Sequence, residues 1–130
     1  MSFGERYENW LDAGYGSCTL SRRDCRAQVK TFLLRFHKTR VHIHHAVIMP
    51  THVHALMEPL HEQRLSKIMQ GIKGASSRNC NQILGTSGPF WMPETYDHIV
   101  RNEKEYQHYF RYINENPKKA GLKNGAYWLM

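Results

Sequence analysis

Hydrophobic residues recur at helical spacing in three stretches of the chain. These stretches cover residues 21–38, 65–84 and 103–115, and Ser21 is a residue type that caps helix N-termini. In the first two stretches the repeating apolar positions, which we expect in the core, are Val29, Phe32, Leu33, Phe36, Ile68, Met69, Ile72 and Ile83. The pattern predicts three helices, each with one face packed against a core.

Between the first two predicted helices the pattern changes to a period of two. Val41 to Met49 is rich in β-branched residues, Pro50 and Thr51 interrupt it, and His52 to Glu58 alternates again. A break this short predicts an antiparallel pair of strands. One face of the second strand would carry Val53, Ala55 and Met57, and the other face would carry His52, His54 and Leu56.

The two ends of the predicted sheet are less regular. Residues 96–100 predict a further short extended segment, whereas residues 1–20 contain no convincing strand, and Glu5 to Leu11 could form one or two helical turns. Strands mixed with three helices indicate an α+β fold, and 130 residues suggest one domain over residues 1–130.

The charge and composition narrow the class of partner. Lys and Arg exceed Asp and Glu by 18 to 11, a net charge of +7, which favours a polyanionic partner such as nucleic acid over a merely well-solvated surface. No apolar run approaches the roughly 20 residues of a membrane span, and the N-terminus lacks a signal-peptide core, so we expect a cytoplasmic protein. Cys18, Cys25 and Cys80 are widely spaced and are expected to be free thiols.

The pair His52 and His54 is the sharpest chemical feature of the sequence. Alternate residues of a strand project from one face, roughly 7 Å apart, so both imidazoles can approach one cation while Val53 points into the core. A His-x-His pair can equally be a solvated face of a strand. The apolar residues on either side favour ligands, because buried imidazoles need a bonding partner.

Residues 47–59, Val-Ile-Met-Pro-Thr-His-Val-His-Ala-Leu-Met-Glu-Pro, resemble the His-hydrophobic-His (HUH) motif of single-tyrosine transposases. Those enzymes usually have Asn where this chain has Thr51. Residues 112–122, Tyr-Ile-Asn-Glu-Asn-Pro-Lys-Lys-Ala-Gly-Leu, are similar to a signature of the REP-associated tyrosine transposases, an IS200-like group. Residues 87–91 and 96–101 also resemble that group.

The resemblance implies a metal-dependent single-strand DNA endonuclease and transposase. Tyr112 would be the nucleophile and would form a 5′-phosphotyrosine intermediate, and His52 and His54 would bind Mg²⁺ or Mn²⁺. Related enzymes have a polar third ligand four residues after the tyrosine, and Asn116 is at that position. Asn116 could instead simply cap the helix before Pro117, which is expected to end it.

Periodicity does not distinguish Tyr112 from Tyr109, which lies nearly one turn earlier on the same predicted helix, and Tyr106 is a further rival. The assignment of Tyr112 rests on its match to the Tyr-x-x-x-Asn-Pro motif. The implied partner is single-stranded or hairpin DNA from palindromic repeat elements. Basic residues expected to contact its phosphates, although each could be ordinary solvated surface, are Lys67, Lys73, Arg78, Lys118 and Lys119.

The resemblance also implies a ferredoxin-like antiparallel sheet with helices packed on it. Its first strand should precede the helix that begins at Ser21, yet residues 1–20 offer none, so we expect that strand to be missing. We hypothesise that a second copy of the chain covers the gap, as a homodimer. The alternative function is a catalytically inactive or domesticated protein that only binds hairpin DNA.

Overall fold

The structure, a computed structural model, describes residues 5–13 and 19–130, without the side chains of residues 93–96. Its strands are β1 (Arg6–Ala13), β2 (Val41–Ile48), β3 (His52–Pro59), β4 (Trp91–Val100) and β5 (Trp128–Leu129). Its helices are α1 (Arg23–Phe36), α2 (Leu65–Leu84) and α3 (Glu103–Lys119), with a single 3₁₀ turn at Thr19–Ser21. The predicted bounds of α2 are confirmed, and those of β2 and β3 differ by one residue.

The strands form one antiparallel sheet in the order β4-β1-β3-β2-β5. The βαββαβ order of the first six elements gives the predicted ferredoxin-like α+β fold, which is confirmed. The expectation of a missing first strand is wrong, because Arg6–Ala13 forms β1 between β4 and β3. The gap that motivated a second copy of the chain is therefore filled by the chain itself.

The strand β1 escaped prediction because its inward positions are not all aliphatic. Leu11 and Ala13 enter the core, but Asn9 shares their face and is only 1% exposed. The opposite positions carry Glu8, Trp10 and Asp12. A strand with polar and bulky residues on both faces lacks the apolar alternation that marks a half-buried strand.

The two faces of the sheet are covered by different helices. Helices α1 and α2 cover the face that carries Val53, Ala55 and Met57, and α3 covers the face with Leu56, so the predicted division of β3 is correct. A bulge in β2 between Ile43 and His45 shifts the alternation by one residue. As a result, both His44 and His45 contact aromatic rings of α3.

The ends of the helices differ from the sequence prediction at two residues, Ser21 and Pro117. Helix α1 has Arg22, not Ser21, as its N-cap residue, without a side-chain cap bond. Helix α3 is capped by Asn102, whose side chain accepts a hydrogen bond from the Glu105 amide at 2.9 Å. Pro117 does not end α3, because its buried ring lies inside the helix, which continues to Lys119. Packing of that ring compensates for the one backbone hydrogen bond that proline cannot donate.

Among the described residues no helix has the length and apolar character to cross a membrane. Cys25 and Cys80 are buried free thiols, as predicted, and Cys18 lies outside the described residues.

Candidate active site

The histidine pair lies on β3, under helix α3, where β1 supplies the neighbouring side chains. Trp10 and Asp12 are directly opposite His54 and His52 in the antiparallel register, so all four side chains share one face. The indole of Trp10 stacks on the imidazole of His52, with ring centroids 3.9 Å apart and planes inclined by 10°. The stack fixes the plane of the His52 ring.

Each histidine has one ring nitrogen that is bonded and one that is not. Nδ1 of His52 lies 3.0 Å from the hydroxyl of Thr51, and Nε2 of His54 lies 3.1 Å from Oε1 of Glu8. The other two, Nε2 of His52 and Nδ1 of His54, are buried without a hydrogen-bond partner in the described part of the chain. A buried polar atom without a partner is costly in a native protein and suggests a ligand.

The protonation state of His52 suits a metal ligand. Burial lowers its pKa to about 4, with the carboxylate of Asp12 opposing that shift and His54 adding to it. The imidazole is therefore neutral at pH 7, and a neutral ring nitrogen has the lone pair that coordination requires.

The side chain of Tyr112 reaches the histidines from α3. Its ring meets the ring of His54 edge to face, with centroids 5.6 Å apart, and the residue is 41% exposed. Asn116, one turn later, is half-buried, and its Nδ2 has no hydrogen-bond partner among the described residues. Rotation of that amide presents its oxygen in place of its nitrogen.

The rival tyrosines of α3 differ from Tyr112 in their hydrogen bonds. The hydroxyl of Tyr106 lies 3.3 Å from Nδ1 of His44, and that of Tyr109 lies 3.2 Å from Nδ1 of His98. Both residues also pack against the apolar cluster beneath the helix. Tyr112 is thus the exposed tyrosine beside the histidine pair.

Glu8 is a site residue that the sequence pattern did not reveal. It is 7% exposed, and although burial by itself would raise the pKa of its carboxyl group, hydrogen bonds from His54 and Tyr109 and the charges of His54 and His98 lower it. Its carboxylate is therefore ionised at neutral pH. The period-two pattern of Glu8, Trp10 and Asp12 was the available signal, but it required that β1 be identified as a strand.

The predicted DNA contacts divide between the two faces of the sheet. Lys118 and Lys119 are exposed at the end of α3, with Nζ of Lys119 5.8 Å from the Tyr112 ring centroid. They line a surface cavity of about 420 Å³ together with Glu115. The remaining predicted contacts, Lys67, Lys73 and Arg78, lie on α2, on the opposite side of the sheet from α3.

Within the described ranges no three His, Cys, Asp or Glu side chains are grouped so as to hold a metal ion. The predicted donor set contains two histidines and an asparagine amide, so it is not a cluster of that kind. The arrangement places an exposed tyrosine beside the buried imidazole of His54 and the half-buried imidazole of His52, each with a buried nitrogen that has no hydrogen-bond partner in the described part of the chain. Chemically, such a site can bind an anionic group at a cation and present a hydroxyl to it.

Comparison with known proteins relates the chain to transposases. The model of a transposase family described as IS200-like matches residues 18–116. A REP-associated tyrosine transposase of Escherichia coli K12 is 31% identical over 84 residues, which cover 63% of this chain and 48% of that protein. The chain thus spans about half the length of this curated relative.

Two solved structures have the same fold. A REP-associated tyrosine transposase bound to a REP hairpin superposes with a TM-score of 0.73 at 21% identity, covering 97% of this chain and 78% of that one. A protein of Deinococcus radiodurans R1, described as a candidate transposase, gives 0.60 at 16% identity, covering 88% and 92%. At these identities the likeness concerns the fold, while the family model covers most of the sequence. The chain belongs to the IS200-like transposase family.

Proposed function

We propose that this protein cuts and rejoins single strands of hairpin-forming DNA, with Tyr112 as the nucleophile. The observation that carries the proposal is the position of Tyr112, exposed and in ring contact with His54, beside two buried nitrogens that have no partner among the described residues. Membership of a transposase family and a similar fold in a protein bound to a REP hairpin support the choice of DNA.

In the proposed reaction the Tyr112 hydroxyl attacks the scissile phosphodiester. The phenolic oxygen forms an ester with the 5′ phosphate, and the bond from phosphorus to the departing 3′ oxygen breaks. The phenolic proton passes to water, and the departing 3′ oxygen takes a proton from water to become a 3′ hydroxyl. A free 3′ hydroxyl can then attack the phosphotyrosine and reverse the step, which rejoins the strand. The exposed position of Tyr112 suits this role, because a DNA strand must reach its hydroxyl.

His52, His54 and Asn116 are the residues we expect to hold Mg²⁺ or Mn²⁺. Their unbonded atoms fit this group: two imidazole nitrogens and an amide that can turn its oxygen inward are suitable donors for a divalent cation. The cation would polarise the phosphate and stabilise the charge of the transition state. The stack of Trp10 on His52 keeps one donor in place before DNA binds.

Lys118 and Lys119 are expected to bind the strand that reaches Tyr112. Both are exposed on the last turn of the tyrosine helix, and the surface cavity beside Glu115 gives a phosphate room to approach. The net charge of +7 adds long-range attraction for a polyanion. Binding should therefore weaken steeply as salt concentration rises.

The test is a covalent trapping experiment. The protein is incubated with Mn²⁺ and an end-labelled single-stranded DNA that folds into a hairpin with single-stranded flanks, then run on a denaturing gel. We expect a labelled protein–DNA adduct from the wild type and from Tyr106→Phe, and none from Tyr112→Phe. Tyr106 is the matched control, since it is a tyrosine on the same helix whose hydroxyl lies at His44 and not at the histidine pair.

Two outcomes would contradict the proposal. An adduct that persists in Tyr112→Phe and is lost in Tyr109→Phe would assign the nucleophile to Tyr109. No adduct from the wild type with any divalent metal, together with retained hairpin binding in a gel-shift assay, would support the inactive, binding-only alternative.

A further inference from the structure

Glu8 is a buried carboxylate in the middle of the sheet, on the face that α3 covers. It is 7% exposed, and its direct neighbours across the antiparallel pairs are His98 on β4 and Leu56 on β3. A carboxylate in such a position destabilises the fold unless hydrogen bonds or charges compensate it. The contacts of the Glu8 carboxylate therefore show which groups compensate its burial.

The two oxygens of Glu8 join three other elements of the fold. Oε1 lies 3.1 Å from Nε2 of His54 on β3, and Oε2 lies 3.4 Å from Nδ1 of His98 on β4. The hydroxyl of Tyr109 on α3 lies 3.2 Å from Nδ1 of His98, and its interaction with the carboxyl group of Glu8 helps to lower the pKa of that group. One side chain thus connects β1 with the histidine strand, with β4 and with the tyrosine helix.

For His54 this contact selects a tautomer. The oxygen of a carboxylate accepts this hydrogen bond, so Nε2 of His54 is the donor nitrogen and Nδ1 is the nitrogen left for a lone pair. Nδ1 is the buried nitrogen without a partner in the described residues. Carboxylates that orient metal-binding histidines in proteins act in this way.

For α3 the same carboxylate acts on the turn that precedes Tyr112. Tyr109 is three residues earlier, and through His98 its hydroxyl is connected to Glu8 one turn before the tyrosine that contacts His54. A single side chain is thus linked both to His54 and to the turn that precedes Tyr112.

We propose that Glu8 is a positioning residue, which holds His54 with its Nδ1 lone pair directed away from β1 and holds α3 so that Tyr112 stays against His54. The proposal deepens the proposed function and rests on it for the roles of His54 and Tyr112. Glu8 touches neither DNA nor the reacting atoms in this scheme.

The variants are Glu8→Leu, which removes the acceptor, and Glu8→Gln, which keeps one amide oxygen for His54. The matched control is Glu58→Gln. Glu58 is also a strand glutamate paired with a histidine, at 2.9 Å from Nε2 of His44, but the contact partner of His44 on α3 is Tyr106, two turns before Tyr112. Folding of each variant is checked by circular dichroism and thermal melting.

The first measurement is independent of catalysis and of metal. Long-range ¹H–¹⁵N NMR spectra of the metal-free protein show which ring nitrogen of each histidine carries the proton. We expect His54 to be protonated on Nε2 in the wild type, in Glu8→Gln and in Glu58→Gln, and to lose this preference in Glu8→Leu. A wild-type His54 protonated on Nδ1 would overturn the proposal, whatever the activity of the protein.

The second measurement separates positioning from DNA binding. In nicking assays with the hairpin substrate, we expect kcat of Glu8→Leu to fall about 10- to 100-fold, the usual cost of losing an outer partner of a metal ligand. KM should stay within about twofold, and Glu8→Gln should recover at least part of the missing kcat. A folded Glu8→Leu with wild-type tautomer and wild-type kcat would refute the proposal.

If Glu8→Leu does not fold, Glu8→Gln and the wild-type spectrum decide the question. The glutamine side chain carries no charge and its nitrogen cannot accept hydrogen bonds, so the contacts of this side chain with His98 and Tyr109 are weakened and kcat should fall below that of Glu58→Gln. Equal kcat values for these two variants would count against the proposal. Absence of nicking in the wild type would overturn the proposed function but leave the tautomer test of Glu8 intact.

Discussion

The face of the sheet toward α1 and α2 buries a continuous set of aliphatic side chains, whereas the face toward α3 buries ionisable groups and aromatic rings. On the first face, Val53, Ala55 and Met57 of β3 are at most 1% exposed and belong to the larger apolar cluster. On the second, Glu8 and His54 are also buried, but they are linked by a hydrogen bond. The first face holds the larger apolar cluster, and the second combines a smaller apolar cluster with the groups that the proposed chemistry needs.

The difference follows from the free energy of burial. An aliphatic side chain stabilises the fold by about 1.5–3 kcal/mol when it is fully buried. A buried imidazole with an unbonded nitrogen contributes much less, since it loses its hydrogen bonds to water. Mutations on the α1 and α2 side should therefore mainly change the free energy of unfolding, and mutations at the histidine pair should mainly change the nicking rate.

The largest effect should come from His52→Ala. We expect nicking of hairpin DNA to fall at least about a thousandfold, about 4 kcal/mol in the barrier, because a proposed metal ligand is removed. The free energy of unfolding should change by less than about 1 kcal/mol, since only a half-buried ring is deleted. Single-turnover kinetics and urea unfolding measure the two quantities.

His42→Ala is the control for that variant, because His42 is an exposed histidine on the neighbouring strand β2. Its nicking rate should remain within a few-fold of the wild type. Nicking by His52→Ala at the wild-type rate, at saturating Mn²⁺, would rule out the ligand role of His52.

The opposite pattern is expected for Ile72→Ala on the α2 helix. Ile72 is 0% exposed in the larger apolar cluster, so the substitution should lower the free energy of unfolding by about 2–5 kcal/mol. Nicking below the melting transition should be nearly unchanged. Leu34→Ala, at a residue that is 43% exposed on α1, should cost about 0.5 kcal/mol or less. A destabilisation of less than about 1 kcal/mol for Ile72→Ala would show that this face is not the stabilising one.

A smaller effect is expected on the salt dependence of DNA binding, where the basic residues of the two faces should differ. Replacing both Lys118 and Lys119 by alanine should reduce the slope of log affinity against log salt by about 0.7 to 0.9 for each DNA phosphate that the protein no longer neutralises. The double replacement of Lys67 and Arg78 on α2 should reduce it less. Fluorescence anisotropy with labelled hairpin DNA at several salt concentrations gives both slopes. A larger change from the α2 pair would place the DNA on the α1 and α2 side.

The smallest effect should appear in the pH dependence of stability. Burial lowers the pKa of His45, whose ring is stacked on Phe110 of α3 with centroids 4.1 Å apart. The unfolded chain then binds more protons than the folded chain below the ordinary histidine pKa of about 6.5, so stability is full above that pH and decreases as the pH falls.

Melting temperatures between pH 8 and pH 5 test that expectation. His45→Gln should show a shallower decrease than the wild type, whereas replacement of the exposed His108 by glutamine should leave the decrease unchanged. An identical pH dependence in the wild type and His45→Gln would exclude His45 as a source of the effect.

Much of the fold could be predicted because its signals are local. The period of 3.6 gave the full extent of α2, and the period of two gave β2, β3 and the face on which His52 and His54 lie. The bulge in β2 was not predictable in this way. It inserts one residue without changing the composition of the strand, and it turns both His44 and His45 toward α3.

The sequence by itself determined the three helices, the histidine pair on one face of a strand and, through its motifs, the family. Only the tertiary structure decided that Arg6–Ala13 is a central strand, that Glu8 lies against His54, and that the hydroxyl of Tyr109 is hydrogen-bonded while Tyr112 is exposed at the histidines. Periodicity indicates which face a residue occupies within its own element. The contact between Glu8 and His54, which are 46 positions apart, depends on how the whole chain packs. Which residues lie against a given face is therefore decided only by the complete fold.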